Sequence, residues 1–202
     1  MLAKLHHWLH AEVIFPRRVK ALATRLSAHI PPGSSVLDVG SGSGWISAEI
    51  KAGVTGVAIT GIDVLVRPYT HIPVVQFDGK SIPFPDASFD IVMFVDVLHH
   101  TNHPGVLLAE AARVARRWVL LKDHFRTGVL GRARLRFMDW IANIQHGVAL
   151  PYNYLSPAEW EETYRAVSLK PVKVETDLGL YPGPANLVFG GNLQFIALLG
   201  RV

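Results

Sequence analysis

Cysteine is absent from this chain of 202 residues. Its absence excludes disulfide bonds, thiolate metal ligands and cysteine nucleophiles together. Long hydrophobic runs are also missing, because charges interrupt every apolar stretch well before the roughly 18 residues that a membrane-spanning helix needs. The N-terminus shows no pattern of a signal peptide. We therefore expect one soluble domain spanning 1–202, by default in the cytoplasm.

Positive charge is unevenly distributed along the chain, whose formal net charge is +4. Residues 116–136 contain a single acid, Asp123, and seven basic residues: Arg116, Arg117, Lys122, Arg126, Arg132, Arg134 and Arg136. Such a basic band can attract phosphate-bearing substrates, anionic lipid or nucleic acid. It can equally be a solvated surface, since charged side chains normally face water.

Three alternate glycines follow a short apolar segment that ends with Asp38. Residues 36–44 read VLDVGSGSG, with glycine at positions 40, 42 and 44. Glycine allows positive φ angles and has no Cβ where a ligand must approach the backbone. A strand that turns through such a loop into a helix is how α/β proteins hold nucleotide-like ligands, although the loop alone does not identify the ligand.

Apolar segments of strand length alternate with segments of helical periodicity. Helices are predicted over 2–15, 16–30, 45–51, 104–115 and about 131–142. A further helix is predicted to start near Ser156, where SPAE at 156–159 has a capping-box pattern. Strands are predicted over 35–39, 56–62, 74–77, 89–95, 118–122, 172–176 and 193–199. The first five strands are almost continuously apolar, which predicts a parallel sheet covered by helices on both faces.

An aspartate stands at or beside the carboxyl end of each of these five strands. They are Asp38, Asp63, Asp78, Asp96 and Asp123. Any one of them could cap a helix or a turn. Five together are better explained by a ligand site, because ligands of open α/β sheets bind at the carboxyl edge of the strands.

Five motifs in order carry a resemblance to a known family. They are VLDVGSGSG at 36–44, GID at 61–63, DG at 78–79, IPFPDASFD at 82–90 and VLHH at 97–100. This set resembles the class I S-adenosylmethionine-dependent methyltransferases, and within them the methyltransferase type 11 group that includes quinone C-methyltransferases. The resemblance covers about 32–123. It implies a Rossmann-like, seven-stranded, mostly parallel sheet with an antiparallel last strand.

The resemblance also implies which residues hold S-adenosylmethionine. Asp38 would help to hold the ammonium group, Asp63 the ribose hydroxyls and Asp78 the adenine amino group. The complete implied set is Asp38, Gly40, Ser41, Gly42, Gly44, Asp63, Val64, Asp78, Gly79, Phe94 and Val95. Trp45 is either a cation–π neighbour of the sulfonium or a core residue at a helix start.

Two features depart from the family pattern. The segment from Val64 to His71 is too short for the usual crossover helix between strands two and three. Residues 115–117, Ala-Arg-Arg, replace the usual Pro-Gly-Gly turn before strand five. These departures bear on the adenine pocket more than on the fold.

Methyl transfer from a sulfonium needs alignment above all, and a base only where the nucleophile must lose a proton. The loops after strands four and five offer candidates for this role, because histidine titrates near neutral pH and a neighbouring aspartate can orient it. They include His103, and the final candidates are His99, His100, Asp123 and His124. Any of these histidines could instead be a packed or capping side chain. No metal is expected, since the histidine clusters lack recognisable carboxylate partners in the sequence.

The favoured function is methyl transfer to a small-molecule or lipid-like acceptor, with 1–30 as an N-terminal helical lid and 124–157 as a substrate-facing insertion. Peripheral membrane contact through Leu5, Trp8, Leu9 and the arginines is left open. One alternative is a methyltransferase for RNA or other nucleic acid that uses the basic 116–136 band, disfavoured by the missing cysteine and by DVLH at 96–99. The other is an NAD(P)-dependent oxidoreductase, disfavoured by the glycine spacing.

Overall fold

The computed structural model describes residues 15–128, 130–143, 152–181, 186 and 190–202. The helix predicted over 2–15, and with it Leu5, Trp8 and Leu9, therefore lies almost entirely outside the described residues. The same is true of part of the predicted 124–157 insertion. Within the described ranges, no helix is long and apolar enough to cross a membrane.

The described residues form seven strands, five α-helices and two short 3-10 helices. The α-helices are α1 (Phe15–Ser27), α2 (Trp45–Gly53), α3 (Pro104–Val114), α4 (Gly131–Asn143) and α5 (Pro157–Ala166), and the 3-10 helices span Leu98–His100 and Gly191–Leu193. The strands are β1 (Ser35–Val39), β2 (Ala58–Asp63), β3 (Val74–Gln76), β4 (Phe89–Val95), β5 (Ala115–His124), β6 (Leu169–Thr176) and β7 (Gln194–Arg201).

The strands form one sheet in the order β3-β2-β1-β4-β5-β7-β6. The first five are parallel to one another, and β7 runs antiparallel to both β5 and β6. The strand order reverses beside β1, where the chain leaves β3 and crosses to β4. This confirms the predicted architecture and puts the switch point, where such sheets bind ligands, between β1 and β4.

Both faces of the central strands are buried, which explains their nearly continuous apolar sequences. Successive residues of β1 point to opposite sides: Val36 packs with the cluster under α1 and α2, and Leu37 packs with the cluster under α3 and α5. In β4, Met93 and Phe94 divide in the same way. The parallel strands are therefore held from both sides, and their carboxyl ends meet at one edge.

Two local features differ from, or refine, the sequence-based picture. β5 is longer than predicted at both ends and extends beyond Lys122 to take in Asp123 and His124; Lys122 and Asp123 are both fully buried. The polar residues KDH at 122–124 indicated the end of a strand, but β7 continues the pairing as far as His124. Between β2 and β3 the described chain has no helix, as the short segment predicted.

The predicted capping box at the start of α5 is present. The Ser156 hydroxyl accepts a hydrogen bond from the Glu159 N–H (3.3 Å), and the Glu159 carboxylate accepts one from the Ser156 N–H (2.6 Å). Arg126 donates to the same carboxylate (2.7 Å). One turn after Ser156, Trp160 Nε1 donates a hydrogen bond to the carbonyl of His124 (3.1 Å), which connects α5 to the carboxyl end of β5.

Candidate active site

The glycine loop combines close packing with one open position. Gly40, Gly42 and Gly44 have φ angles of 73°, 57° and 74°. A Cβ on Gly40 would lie 2.6 Å from Val97, and one on Gly44 would lie 2.4 Å from Ile72. At Gly42, by contrast, a Cβ would meet nothing within 4 Å. The loop therefore needs its outer glycines for packing and leaves its middle backbone open to a ligand.

Asp63, at the end of β2, is held against this loop. Its carboxylate accepts hydrogen bonds from the N–H groups of Gly42 (2.8 Å) and Leu65 (2.9 Å). A carboxylate has about four lone-pair sites, so two acceptor positions remain. The side chain is half-buried, which leaves those positions within reach of a ligand.

Asp38 is 4% exposed and accepts a hydrogen bond from the Ser47 hydroxyl (2.6 Å). Burial raises the pKa of this carboxyl to about 6, against the opposing effect of the Ser47 bond and with a smaller contribution from the charge of Asp63. A buried carboxylate with a raised pKa is one that a cationic ligand group would stabilise.

Asp78 and its neighbours lie at the outer side of the same edge, after β3. The exposed Asp78 carboxylate accepts hydrogen bonds from the N–H groups of Ser81 and Lys80 (2.7 Å each), which lower its pKa. A Cβ on Gly79 would lie 3.0 Å from Val64, whose side chain is 54% exposed. Trp45 is half-buried and stacks on His71 at 5.5 Å between ring centroids, so it does not belong to the core.

The structure thus brings most of the predicted cofactor residues to one place. Val39 of β1 is in register with both Ile62 of β2 and Phe94 of β4, so the residues that follow these strands are neighbours. The half-buried Ser41 donates its N–H to the carbonyl of Ile62 (3.2 Å), and the half-buried Val95 ends β4.

The four predicted catalytic residues form a second, more deeply buried group beyond β4. Nδ1 of His99 lies 2.7 Å from a carboxylate oxygen of Asp123, and both side chains are at most 1% exposed. Asp123 also accepts from the N–H groups of Leu98 (3.1 Å) and His124 (2.8 Å). Burial by itself would raise the pKa of Asp123, but the charge of a protonated His99 and hydrogen bonds from His124 and His99 lower it. Asp123 is therefore ionised and accepts a hydrogen bond from Nδ1–H of His99.

Aromatic rings surround His99 on several sides. The rings of His100 and His124 lie 4.1 and 4.9 Å away between centroids, and Tyr154 stacks on His99 at 5.5 Å. The Tyr154 hydroxyl donates to the carbonyl of Leu135 in α4 (3.1 Å). Burial, followed by the charge of Lys122, lowers the pKa of His124 and favours its neutral form.

His99, Asp123 and His124 could each offer one ligand atom to a metal ion, with these atoms within 4.8 Å of one another. The sequence-based expectation of no metal rested on a missing carboxylate partner, and Asp123 is such a partner. In the structure, however, the carboxylate and Nδ1 of His99 are joined by a hydrogen bond. That arrangement fits a proton-transfer pair.

A third charged group was missed by the sequence analysis. Asp96, with φ of 59°, forms ion pairs with both Arg18 of α1 and Lys122 of β5. Burial opposes ionisation of Asp96, but the two cations outweigh it and lower its pKa, and burial also lowers the pKa of Lys122. A lysine inside the apolar pattern WVLLKDH of β5 was the signal that could have revealed the group.

This group also corrects the interpretation of the basic band as one surface. Lys122 is completely buried, and Arg126 is paired with Glu159. Arg116 and Arg117 are exposed at the start of β5, whereas the remaining exposed arginines belong to α4. The band is therefore divided among separate parts of the molecule.

Comparison with known proteins identifies the family that shares this arrangement. Residues 7–174 match the family model described as "Methyltransferase domain". The chain belongs to the class I S-adenosylmethionine-dependent methyltransferases. This family uses S-adenosylmethionine as methyl donor, and membership in it sets aside the oxidoreductase alternative.

Individual relatives agree with this membership. The chain is 33% identical to the ubiquinone/menaquinone biosynthesis C-methyltransferase UbiE of Paraburkholderia phytofirmans, over 48% of this chain and 45% of that protein. It is 28% identical to the 27-O-demethylrifamycin SV methyltransferase of Amycolatopsis mediterranei, over 55% of this chain and 47% of that protein. It therefore spans about half the length of these curated relatives.

A solved structure supports the fold. The methyltransferase from Aquifex aeolicus aligns with a TM-score of 0.63, covering 95% of this chain and 96% of that chain. At 17% identity, the likeness concerns the fold alone.

Proposed function

We propose that this methyltransferase acts on a small-molecule acceptor that has an ionisable phenol or enol hydroxyl group. In this proposal His99 takes the hydroxyl proton on Nε2, and Asp123 is the positioning residue that holds Nδ1–H. The buried hydrogen bond of 2.7 Å between His99 and Asp123 carries the proposal. A histidine held in this tautomer by an ionised carboxylate is a common form of general base.

The acceptor chemistry follows from what a base would contribute. Removing a proton from a phenol or enol makes both its oxygen and the conjugated carbon more nucleophilic, so one base serves O- and C-methylation. One relative is named for C-methylation and another for O-methylation. S-adenosylmethionine supplies the electrophilic methyl group on its sulfonium, and alignment of the acceptor with it provides the remaining catalysis.

The proposed cofactor contacts follow the carboxyl edge of β1, β2 and β4. Asp38 would stabilise the ammonium group, and Asp63 would use its two remaining acceptor positions for the ribose hydroxyls. Asp78 would accept from the adenine amino group beside Val64. The other proposed contacts are Gly40, Ser41, Gly42, Gly44, Gly79, Phe94 and Val95. The open position at Gly42 supports this placement.

Access to His99 requires movement, because its side chain is only 1% exposed. Tyr154 covers the ring and belongs to the predicted 124–157 insertion. We propose that the part of this segment around Tyr154 moves to admit the acceptor and returns to exclude water, which is a common function of loops over active sites. His100, half-buried beside His99, would then border the acceptor.

Cofactor binding provides the direct test of this site. S-adenosylhomocysteine, the demethylated product, is expected to raise the melting temperature by roughly 5–10 °C at about a hundred times its Kd, whereas NAD and NADP should have no effect. Asp63→Asn should remove most of this shift because it weakens the ribose contact. Glu162→Gln, an exposed substitution on α5, is the matched control and should retain it. A full shift in the Asp63 variant would show that Asp63 is misassigned.

Asp38→Asn should separate binding from stability. Because burial raises the pKa of Asp38 to about 6, ionisation destabilises the unliganded fold, and a neutral amide should stabilise it by up to about 3 kcal/mol above pH 6. The advantage should be absent below the ordinary aspartate pKa and increase as the pH rises toward 6. The same variant should bind S-adenosylhomocysteine more weakly, since the ammonium group loses its counter-ion.

Asp90→Asn provides a control of opposite sign at the other edge of the sheet. Asp90 accepts the backbone and hydroxyl hydrogens of Ser35, and these bonds, with Arg116, lower its pKa to about 2. This variant should therefore be less stable than the wild type near neutral pH and still bind S-adenosylhomocysteine. Thermal melts of both variants across pH, with and without ligand, give the answer. If the stability advantage of Asp38→Asn over the wild type were no larger at pH 8 than at pH 4, the assignment would be contradicted.

The acceptor itself can be identified by screening. Purified protein and S-adenosylmethionine would be incubated with phenols, hydroquinones and enolic carbonyl compounds, and with amines as a comparison set. Formation of S-adenosylhomocysteine would be measured. Activity on amines alone would contradict the proposed acceptor class and leave the cofactor assignment intact.

A further inference from the structure

The outer face of α4 is an exposed surface for which the proposed reaction has no use. We propose that this face, formed by Leu130, Arg132, Ala133, Arg136 and Phe137, docks on an anionic lipid surface. We refer to it as the α4 face. The proposal is distinct from membrane contact through 1–14, which lies outside the described residues.

The apolar part of the α4 face lies at helical spacing. Leu130 is 67% exposed, and Phe137 is 48% exposed two turns further along, with the exposed Ala133 between them. The opposite side of the helix is already used, because Leu135 is 1% exposed and packs with Tyr154 and Leu193. Burial of the inner side therefore fixes the orientation in which the outer apolar residues face solvent.

Positive charge predominates in this part of the molecule. From 125 to 139 the chain has four arginines and one acid, Asp139. Arg126 is compensated by Glu159. Arg132 and Arg136 are exposed and flank the apolar residues, and Arg136 also lies over the Tyr152 ring at 4.8 Å. Exposed apolar residues flanked by arginines favour the interface of an anionic bilayer, where the side chains insert and the cations meet headgroups.

Two other pairs of exposed apolar residues lie in different surroundings. Val64 and Leu65 lie at the edge where the cofactor is proposed to bind, next to Asp63. Val172 and Val174 of β6 are separated by Lys173, which pairs with Glu175 (2.7 Å). The α4 face combines exposed apolar side chains with two exposed arginines.

The position of α4 connects this face to the proposed acceptor site. Its inner side contacts Tyr154 through the Leu135 carbonyl (3.1 Å), and Tyr154 stacks on His99. One helix diameter, about 10 Å, therefore separates the α4 face from the residues that cover His99. Resting on the proposed function, this arrangement would let an apolar acceptor pass from the bilayer to the site without crossing water.

Vesicle co-sedimentation of the full chain tests the proposal. Wild-type protein should sediment with phosphatidylcholine vesicles that contain phosphatidylglycerol, and much less with phosphatidylcholine alone or at high salt. The double variant Leu130→Ser/Phe137→Ser should lower the partition coefficient at least about tenfold, because two anchoring side chains are lost. Arg132→Gln should lower it about fivefold.

Matched variants on β6 serve as controls. Val172→Ser/Val174→Ser and Lys170→Gln change exposed residues of the same kinds away from α4, and they should sediment like the wild type. Wild-type protein that fails to sediment at low salt, or α4 variants that sediment unchanged, would overturn the proposal. The proposal would also be overturned by α4 variants that change only RNA binding or only the oligomeric state, because the α4 face would then bind RNA or a second copy of the chain.

The S-adenosylhomocysteine melting shift, measured in every variant, keeps the two proposals separate. The α4 variants should retain it, because none of their residues belongs to the cofactor site. If S-adenosylhomocysteine did not raise the melting temperature of the wild type, the proposed cofactor contacts would be refuted, whether or not the protein binds vesicles. A retained shift without vesicle binding would refute the lipid-docking proposal alone.

Discussion

His99→Asn is expected to lower kcat by about a hundredfold to ten-thousandfold, the usual contribution of a positioned general base. The asparagine amide can take the place of Nδ1 and donate to Asp123, so the buried carboxylate keeps a partner. Asparagine has no ring nitrogen that could take the proton from the hydroxyl group of the substrate. We therefore expect cofactor binding to persist and the melting temperature to change little, so that the loss appears in turnover.

The pH dependence separates a catalytic role of His99 from a purely structural one. In the wild type, kcat should fall on the acidic side because protonation of His99 removes its base function. Asp123 does not cause this fall, since its pKa is lowered and it stays ionised. In Asp123→Asn the remaining activity should fall at a lower pH than in the wild type, because the anion that stabilises the protonated ring is gone.

His103→Asn is the matched control for the catalytic variant. His103 is exposed at the start of α3, outside the His99 and Asp123 pair, and its replacement should leave kcat and the acidic limb unchanged. Turnover and pH profiles would be measured with the acceptor found by screening. A His99→Asn enzyme with wild-type kcat and pH profile would show that the pair stabilises the fold and takes no part in proton transfer.

Features coded by neighbouring residues were predicted well from the sequence. The glycine loop, the alternation of strands and helices, and the capping box at Ser156 each depend on a few consecutive side chains, and each is present. The short segment after Val64 likewise predicted the missing crossover helix. The closing antiparallel strands came from the family resemblance, and the topology confirms them.

Pairings between distant residues could not be predicted in the same way. His99 and Asp123 are 24 residues apart, and Arg18 and Asp96 are 78 apart, so their contacts depend on strand register and helix orientation. Lys122 was counted among the surface charges because its sequence neighbours do not reveal that Asp96 faces it. The alignment of β4 with β5, with Val95 opposite Lys122, creates that contact.

Asp38, which is buried, and Asp96, which is half-buried, show how environment distinguishes two carboxylates at the same edge of the sheet. Burial raises the pKa of Asp38 to about 6, whereas Lys122 and Arg18 overcome the effect of burial on Asp96 and lower its pKa. Asp96 is thus already neutralised by the protein. Asp38 is the carboxylate that gains more from a cationic ligand, which supports its proposed contact with the ammonium group.

The same contrast predicts a large stability effect at Asp96. Asp96→Asn should destabilise the protein by about 3–5 kcal/mol at neutral pH, because it removes the ion-pair partner of the fully buried Lys122 and leaves that cation close to Arg18. Asparagine tolerates the left-handed backbone at φ of 59°, so the loss should come from charge and not from strain. For a chain of this size, we expect a fall in melting temperature of roughly 10 °C or more.

Lys122→Met is the matched variant, because it removes the buried cation and leaves Asp96 paired with Arg18. Its cost should be clearly smaller, since no buried charge is left alone. The pH dependence gives a second test: with the pKa of Asp96 lowered in the fold, its stabilisation is present above the ordinary aspartate pKa and is lost as the pH falls through the folded value. The gap between the wild type and Asp96→Asn should therefore narrow in acid. Denaturant melts in which Lys122→Met costs as much as Asp96→Asn would show that packing of the lysine, and not its neutralisation by Asp96, stabilises this part of the fold.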